Sequence, residues 1–261
     1  MEKQGKVAVP KYKRLGNEEY SRTWDDVAGN FEFGVKMKIV AISCIHNDVE
    51  NILRFIESLA EVDFDVLVCP GDFTDGALPR GFSNIDIAAL ILEELKSLGK
   101  PLLVVPGSWD KDLIKFFEKE NISIHGKGKV IDNVGFYGFG GAKTPFGLPL
   151  EPAEDELFFG LKKAYDEIKN AEFKIQVTHA PPAATKLDMI ASGAHVGSNS
   201  VRKFIEEMQP AAAICAHIHE ARGVDSIKNT KIVNSGRFPE GHFGLISVGG
   251  TGVEAKVIDL I

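Results

Sequence analysis

Two histidines, His217 and His219, stand two residues apart where an apolar run of small residues, 211–216, comes to its end. If this run is a strand, side chains two apart point to the same side, so both imidazoles face one point in space. Histidine is the commonest side-chain metal ligand, and a pair in this arrangement can hold a metal ion. Two surface histidines that cap a strand would look the same, so the metal hypothesis needs partners from elsewhere in the chain.

Other apolar runs of the chain also end beside candidate ligands. Residues 38–43 form a continuous apolar run, which is typical of a strand covered on both faces, and further strands are predicted at 64–69, 101–106 and 172–177. Open α/β sheets build their sites along the carboxyl ends of the strands. The candidate ligands that follow these four runs are Cys44 with His46, Asp72, Ser108 and His179.

The order of these motifs resembles the calcineurin-like metallophosphoesterase family. The family pattern is Asp-x-His, Gly-Asp-x-x-Asp/Asn, Gly-Asn-His/Cys-Asp/Glu, a lone His and Gly-His-x-His. The resemblance runs from about Met37 to the C-terminus and looks closest to the compact bacterial and archaeal phosphodiesterase-like branch. It implies a four-layer α/β/β/α sandwich of two mixed sheets flanked by helices, and two metal ions bridged by an aspartate. The metal-ligand positions that it assigns are His46, Asp72, His179, His217 and His219.

Four positions need separate treatment because they bear on the chemistry. Cys44 stands where the family has Asp; its thiolate would bind zinc or iron and give the site a softer metal preference. Ser108 stands where the family has a metal-binding Asn, and a neutral hydroxyl is a weaker donor. Trp109 replaces a His that many members hold close to the leaving group, and offers one neutral N–H. Asp110 matches the family's closing carboxylate, so it is a candidate catalytic residue, an N-cap of the next helix, or both.

Phosphoester hydrolysis explains why these residue types would be needed. The phosphate and hydroxide repel each other, so a catalyst must neutralise the phosphate and generate hydroxide near neutral pH, which two metal ions can do. The carboxylate of Asp72 is the candidate for the bridge and for a catalytic role, because its two oxygens can serve both ions. We therefore predict a metal-dependent phosphoesterase that uses one or two ions of Mn, Fe, Zn or Ni. Its substrate would be a phosphodiester or a small phosphomonoester. The alternative is a degenerate member that binds a phosphorylated ligand or a partner protein without turnover.

The remaining histidines have structural interpretations. His125 is predicted to end a strand, His195 lies in a glycine-containing loop before the helix predicted at 201–208, and His242 is unassigned. Asn47 and Glu50 form a capping-box pattern for a helix predicted at 48–59.

Composition limits the classes of function. The chain has 261 residues, of which 44% are hydrophobic and 26% charged, which suits one sizeable domain. A net charge of -7 argues against a general binder of duplex nucleic acid. The odd, sparse set of 3 cysteines, without a signal peptide, predicts a reducing cytoplasm. No apolar run approaches the ~20 residues of a membrane span. The expected partner is a small phosphoester substrate, and a homo-oligomer is left open.

The chain divides into an N-terminal extension, 1–36, and a metallophosphoesterase-like domain, 37–261. Aromatic residues in the extension favour some packing on the domain, although a disordered arm and an upstream extension of a gene starting at Met37 are alternatives. Helices are predicted at 83–98, 111–119 and 153–170, and short strands at 129–132 and 134–137. Further strands follow at 223–225, 230–234, 243–248 and 252–258. Strand and helix alternation followed by consecutive strands predicts two packed sheets with helices outside.

Overall fold

The structure is a computed structural model that describes residues 35–250 and 252–260. The predicted N-terminal extension therefore lies outside the described residues except for its last two positions. The prediction that its aromatic residues pack on the domain lies outside them as well.

The first sheet has five strands in the order β11-β10-β1-β2-β3. Strands β1, β2 and β3 run parallel, and β10 and β11 are added antiparallel at one edge. The strands of this sheet are β1 (Val35–Ala41), β2 (Val66–Cys69), β3 (Leu102–Val104), β10 (His242–Gly249) and β11 (Gly252–Asp259).

The second sheet has six strands in the order β4-β5-β6-β7-β9-β8. Its four central strands run parallel, and β4 and β8 pair antiparallel at the two edges. The strands of this sheet are β4 (Lys127–Ile131), β5 (Val134–Phe139), β6 (Phe173–Thr178), β7 (Ala212–Cys215), β8 (Gly223–Ile227) and β9 (Thr230–Asn234).

The helices that connect the strands begin and end near the predicted positions. They are α1 (Val49–Ala60), α2 (Asn84–Ser97), α3 (Ile114–Lys119), α4 (Glu154–Ile168) and α5 (Asn199–Met208). Short 3-10 turns lie at Asp110–Leu113, His219–Ala221 and Phe238–Glu240. The predicted capping box of α1 is wrong. Asp48 caps the helix by accepting a hydrogen bond from the backbone N–H of Asn51 at 3.1 Å, and Asn47 reaches towards Asp75 instead.

One core lies between the two sheets. Alternate residues of β1, Met37, Ile39 and Ala41, pack in the same buried cluster as Phe136 of β5 and Val177 of β6. The side chains between them point to the outer faces, where helices cover the sheets, because successive side chains of a strand face opposite ways. A second cluster on the outer face of the six-stranded sheet includes residues of α4 and α5.

The predicted fold class is confirmed: two mixed sheets flanked by helices form the four-layer α/β/β/α arrangement. The carboxyl ends of β1, β2 and β3 and of β6 and β7 carry the loops that contain the candidate ligands. Among residues 35–250 and 252–260, no helix has the length and apolar character needed to cross a bilayer.

Candidate metal centre

The loops after β1 and β2 are joined through their backbones. The N–H of Cys44 donates to the carbonyl of Gly71 at 3.0 Å, and the N–H groups of Ile45 and His46 donate to the carbonyl of Asp72 at 2.7 and 3.1 Å. These hydrogen bonds continue the connection between the two chain segments beyond the ends of β1 and β2, so the two loops stay side by side after the strands end. They bring the ligand candidates of two strands into one region.

Several candidate ligands have a left-handed backbone. A non-glycine residue with positive φ is uncommon, and such conformations persist only where the surrounding structure holds them. Four candidate ligands have this conformation: φ is 55° at Cys44, 51° at His46, 57° at Asp72 and 76° at His217.

The candidate ligands form two groups. In each group the potential ligand atoms lie within 4.8 Å of one another. The first group, which we call site 1, contains Cys44, His46 and His219, and the Nε2 atoms of its two histidines are 3.2 Å apart. The second group, site 2, contains Asp72, His179 and His217, with 3.2 Å between Nε2 of His179 and Nδ1 of His217.

Asp72 lies between the two sites. Its Oδ2 atom is 3.1 Å from Nε2 of His179 in site 2 and 3.7 Å from Nε2 of His46 in site 1. Its Oδ1 atom accepts a hydrogen bond from the backbone N–H of Trp109 at 3.0 Å. Burial alone would raise the pKa of Asp72, but His179 and His46 hold the pKa below its usual range. The carboxylate is therefore ionised and faces both sites.

The expectation that His217 and His219 face one point is wrong in detail. Strand β7 ends at Cys215, and His217 has φ 76°, so the two histidines do not continue the strand. Their rings consequently turn to different sites. They remain two residues apart in sequence and connect site 1 to site 2.

The environment of the imidazoles differs between the sites. Burial lowers the pKa of His217 to about 3 and that of His219 to about 4. Burial likewise lowers the pKa of His46. For His179 burial also favours the neutral ring, but the Asp72 carboxylate outweighs it and the pKa is raised. At neutral pH the first three rings are uncharged, and neutral imidazole is the form that binds metal ions.

Cys44 is completely buried, and burial together with the Asp72 carboxylate raises the pKa of its thiol to about 12. A thiol in that environment stays protonated unless a cation replaces the proton, which is how metal ions bind cysteine. A thiolate, imidazoles and a shared carboxylate are donors that suit divalent transition metals. The residues present thus fit a metal centre.

Asp110 has contacts of another kind. Its Oδ2 atom accepts from the backbone N–H groups of Gly107 at 2.8 Å and Phe73 at 3.2 Å, and its Oδ1 atom accepts from Thr74. Burial and the nearby Asp72 raise the pKa of Asp110 to about 6. These bonds join the loop after β2 to the loop after β3. The side chain positions the Asp72 loop, and the predicted N-cap role is wrong, because Asp110 lies inside the 3-10 turn that it was expected to cap. Its catalytic role stays a prediction.

Ser108 is buried beside this loop. Its hydroxyl donates to the carbonyl oxygen of Ala142 at 3.3 Å. The neighbouring Gly107 is required by space, since a Cβ there would lie 2.1 Å from the N and Oδ1 atoms of Asp72.

A cavity of about 520 Å³ opens over site 1. Trp109 lines it and is half-buried, and its indole packs against Gly76, where an added Cβ would lie 2.9 Å from the ring. Sequence reasoning missed Arg237, which also lines the cavity. Arg237 follows the carboxyl end of β9 by three residues, so the strand-end rule that found the other candidates would have found it. The complete lining consists of His46, Asp75, Gly76, Ala77, Trp109, His219 and Arg237.

The remaining histidines have partners outside the two sites. Nδ1 of His125 accepts from the backbone N–H of Gly140 at 2.9 Å. His195 lies 2.7 Å from Asp188, and His242 lies 2.6 Å from Asp259.

Comparisons with known proteins agree with this geometry. A sequence model described as calcineurin-like phosphoesterase matches residues 37–221. The chain is 36% identical over 204 residues to the uncharacterized protein MJ1162 of Methanocaldococcus jannaschii, covering 76% of this chain and 87% of that protein. It is 27% identical to the UPF0046 protein K07C11.7 of Caenorhabditis elegans, covering 79% of this chain and 71% of that protein.

Solved structures share the fold at low identity. The crystal structure of TT1561 of Thermus thermophilus superposes with a TM-score of 0.65 at 20% identity, covering 84% of this chain and 97% of that one. A dimetal phosphatase of Danio rerio superposes with a TM-score of 0.52 at 11% identity, covering 87% of this chain and 100% of that one.

Proposed function

The chain belongs to the calcineurin-like phosphoesterase family, and on this premise we propose that it hydrolyses a phosphodiester or a small phosphomonoester using bound divalent metal ions. The observation that carries the proposal is the pair of adjoining ligand groups with the Asp72 carboxylate between them. We include in the proposal that residues 37–261 form the catalytic domain.

Each side chain of the two sites has a defined part in this proposal. Cys44, His46 and His219 would hold one ion, His179 and His217 would hold the second, and Asp72 would serve both. When bound, such ions supply positive charge for the phosphoryl oxygens and acidify a water molecule. We propose Mn, Fe, Zn or Ni as the candidate metals, with Cys44 favouring the softer ones.

Contacts around the ligand set support the same chemistry by positioning. Nδ1 of His179 lies 2.7 Å from the carbonyl oxygen of Pro70, a partner that can only accept, so the proton sits on Nδ1 and the ring is oriented with Nε2 towards Asp72. Asp110 fixes the loop that carries Asp72. Trp109 forms an aromatic wall against which the organic part of an ester can lie.

Burial of the thiols supports a reducing location. Cys44, Cys69 and Cys215 are all free and buried, and none is paired in a disulfide. We propose a cytoplasmic protein on this ground.

One contact and one side-chain type favour the second candidate, a family member of weak or absent turnover that binds a phosphorylated ligand. The Ser108 hydroxyl is hydrogen-bonded to Ala142, and Trp109 offers no acidic proton to a leaving group.

Metal analysis followed by kinetics separates the two candidates. Freshly purified protein is analysed for bound transition metals, and hydrolysis of an aryl phosphodiester and an aryl phosphomonoester is measured with added manganese. We expect at least one bound ion per chain and turnover that Asp72→Asn lowers by about 100-fold or more, since the variant removes the shared charge. Bound metal without turnover of either ester would favour the binding protein. Absence of metal would contradict both sites.

A further inference from the structure

Arg237 places a permanent positive charge on the wall of the cavity. It lines the cavity beside His46 and His219. Among the described lining residues the other charged side chain outside the two sites is Asp75, which accepts hydrogen bonds from Asn47 and from the backbone of Ala77. Arg237 is thus the lining residue suited to meet an anion.

The guanidinium of Arg237 is only partly satisfied. Its Nη1 atom donates to Oε1 of Glu240 at 3.1 Å, whereas its Nε atom is buried and has no hydrogen-bond partner among the described residues. A buried donor without a partner costs free energy. The free edge made by Nε and Nη2 has the spacing of a bidentate phosphate contact. The ion pair with the half-exposed Glu240 involves Nη1 and therefore gives no partner to this edge.

The backbone around Arg237 is held against the loop of site 1. The hydroxyl of Ser43 donates to the carbonyl of Gly236 at 2.8 Å, and the N–H of Phe238 donates to the carbonyl of Ser43 at 3.0 Å. Ser43 directly precedes Cys44. The residues on both sides of Arg237 are therefore fixed relative to the first ligand loop.

A second connection runs to the loop of His217 and His219. Nδ2 of Asn234 donates to the carbonyl of Ile218, which lies between those histidines, at 2.8 Å. Oδ1 of the same Asn234 accepts from the N–H of Gly236 at 3.0 Å. Hydrogen bonds from both loops that supply site 1 therefore fix the backbone position of Arg237. A residue that binds a ligand at a defined position needs such a fixed backbone.

We propose that Arg237 binds the phosphoryl oxygens of the substrate through its Nε and Nη2 edge, and that the substrate is accordingly a phosphomonoester dianion. This inference rests on the proposed function. A fixed cation attracts a dianion about twice as strongly as a monoanion at the same distance. A monoester also has three terminal oxygens, against two in a diester, so it keeps more of them free for an arginine.

Binding of inorganic phosphate to the metal-loaded protein tests the anion site directly. Calorimetric titration of wild type, Arg237→Gln, Arg237→Lys and Arg54→Gln is compared, with metal content measured for each. Arg54 is an exposed arginine of α1, and Arg54→Gln removes the same single positive charge as Arg237→Gln. We expect Arg237→Gln to weaken phosphate binding by about tenfold or more. Arg237→Lys should recover only part of the lost affinity, because lysine has one ammonium nitrogen and lacks the paired N–H donors of a guanidinium. Arg54→Gln should bind as wild type.

Unchanged phosphate affinity in Arg237→Gln at unchanged metal content would overturn the assignment. So would a loss of affinity that follows only from a loss of metal. Because phosphate binding does not require turnover, a wild-type protein that hydrolyses neither ester but binds phosphate through Arg237 would contradict the proposed hydrolase and support the anion site.

The substrate class is tested by kinetics with an aryl phosphomonoester and the matching diester. We expect Arg237→Gln to lower kcat/KM for the monoester by about 100-fold and for the diester by about tenfold or less, since the dianion loses the stronger interaction. An equal loss for both esters would overturn the choice of a dianion.

Discussion

Nε2 of His179 lies 3.1 Å from Oδ2 of Asp72, while Nδ1 of the same ring lies 2.7 Å from the carbonyl oxygen of Pro70. Burial favours the neutral ring, but the Asp72 carboxylate outweighs it and raises the pKa of His179. Because Nδ1 faces Pro70, Nε2 is the ring atom that would bind a metal ion. Two of the three ligands of site 2, His179 and Asp72, are thus already in contact with each other.

Replacement of this ring tests site 2. We expect His179→Ala to lower the affinity for one metal ion by more than about 100-fold, because loss of a direct ligand should exceed the effect of losing an outer partner. Equilibrium dialysis followed by elemental analysis measures the loss. His195→Ala is the matched control, since His195 pairs with Asp188 outside both sites. Equal metal binding by the two variants would contradict the site.

Gly107 should be intolerant of a side chain. A methyl group there would lie 2.1 Å from Asp72, so Gly107→Ala must displace the carboxylate loop and should lower the free energy of unfolding by about 1–3 kcal/mol. Urea unfolding and metal content are both measured. Gly250→Ala is the control, because a methyl group at Gly250 meets nothing within 4 Å. Similar stability of both variants would argue against the close approach.

Cys44 should determine the metal preference of site 1. With cobalt bound, a thiolate ligand gives a charge-transfer absorption in the near ultraviolet, and Cys44→Asp should abolish this band while shifting preference from zinc towards manganese. Cys215→Ala is the control, because Cys215 is buried in β7 and belongs to neither site. If the band persists in Cys44→Asp, or is absent from the wild type, the thiol is not a ligand.

Trp109 should limit the hydrolysis of esters with poor leaving groups. Trp109→His introduces a group that can donate a proton, and the smaller ring fits where the indole packs on Gly76. We expect about a tenfold gain in kcat for an alkyl ester and little for an activated aryl ester, because only the former needs protonation. Trp109→Phe keeps an aromatic wall without a proton donor and should show no such gain. A gain in both variants would point to a steric effect.

His125 should make stability depend on pH. Burial lowers its pKa from 6.5 to about 4 in the folded protein, so the unfolded chain binds more protons between these values. The free energy of unfolding should therefore rise from pH 4 to 6.5, and this contribution, up to about 3 kcal/mol, is lost as pH falls through the same window.

The variant His125→Asn isolates this contribution. Its side-chain oxygen can still accept from the N–H of Gly140, which His125 now binds at 2.9 Å. Urea unfolding at pH 4.5 and pH 7 should show a smaller difference for the variant than for the wild type. All other ionisable groups are common to both proteins, so their contributions cancel in the comparison. Identical pH profiles would refute the assignment.

Most of the fold could be predicted from hydrophobic patterning. The apolar runs at 64–69 and 101–106 became β2 and β3 within two residues at each end, and the run at 230–234 matched β9. Boundaries failed where capping contacts decide them. Asn47 and Asp48 are adjacent and both are good capping residues, and only the turn after His46 determines which one receives the N–H of Asn51.

The family, the two-sheet architecture and the strand ends that carry ligand residue types could all be predicted from the amino-acid sequence, because they follow from local patterns and from motif order. Which side chains meet depends instead on the folded chain. The positive φ of His217 turns this residue and His219 to different sites, and the pairing of loops from both sheets brings Arg237 beside His46. Such contacts join residues nearly two hundred positions apart, and spacing along the chain carries no direct record of them.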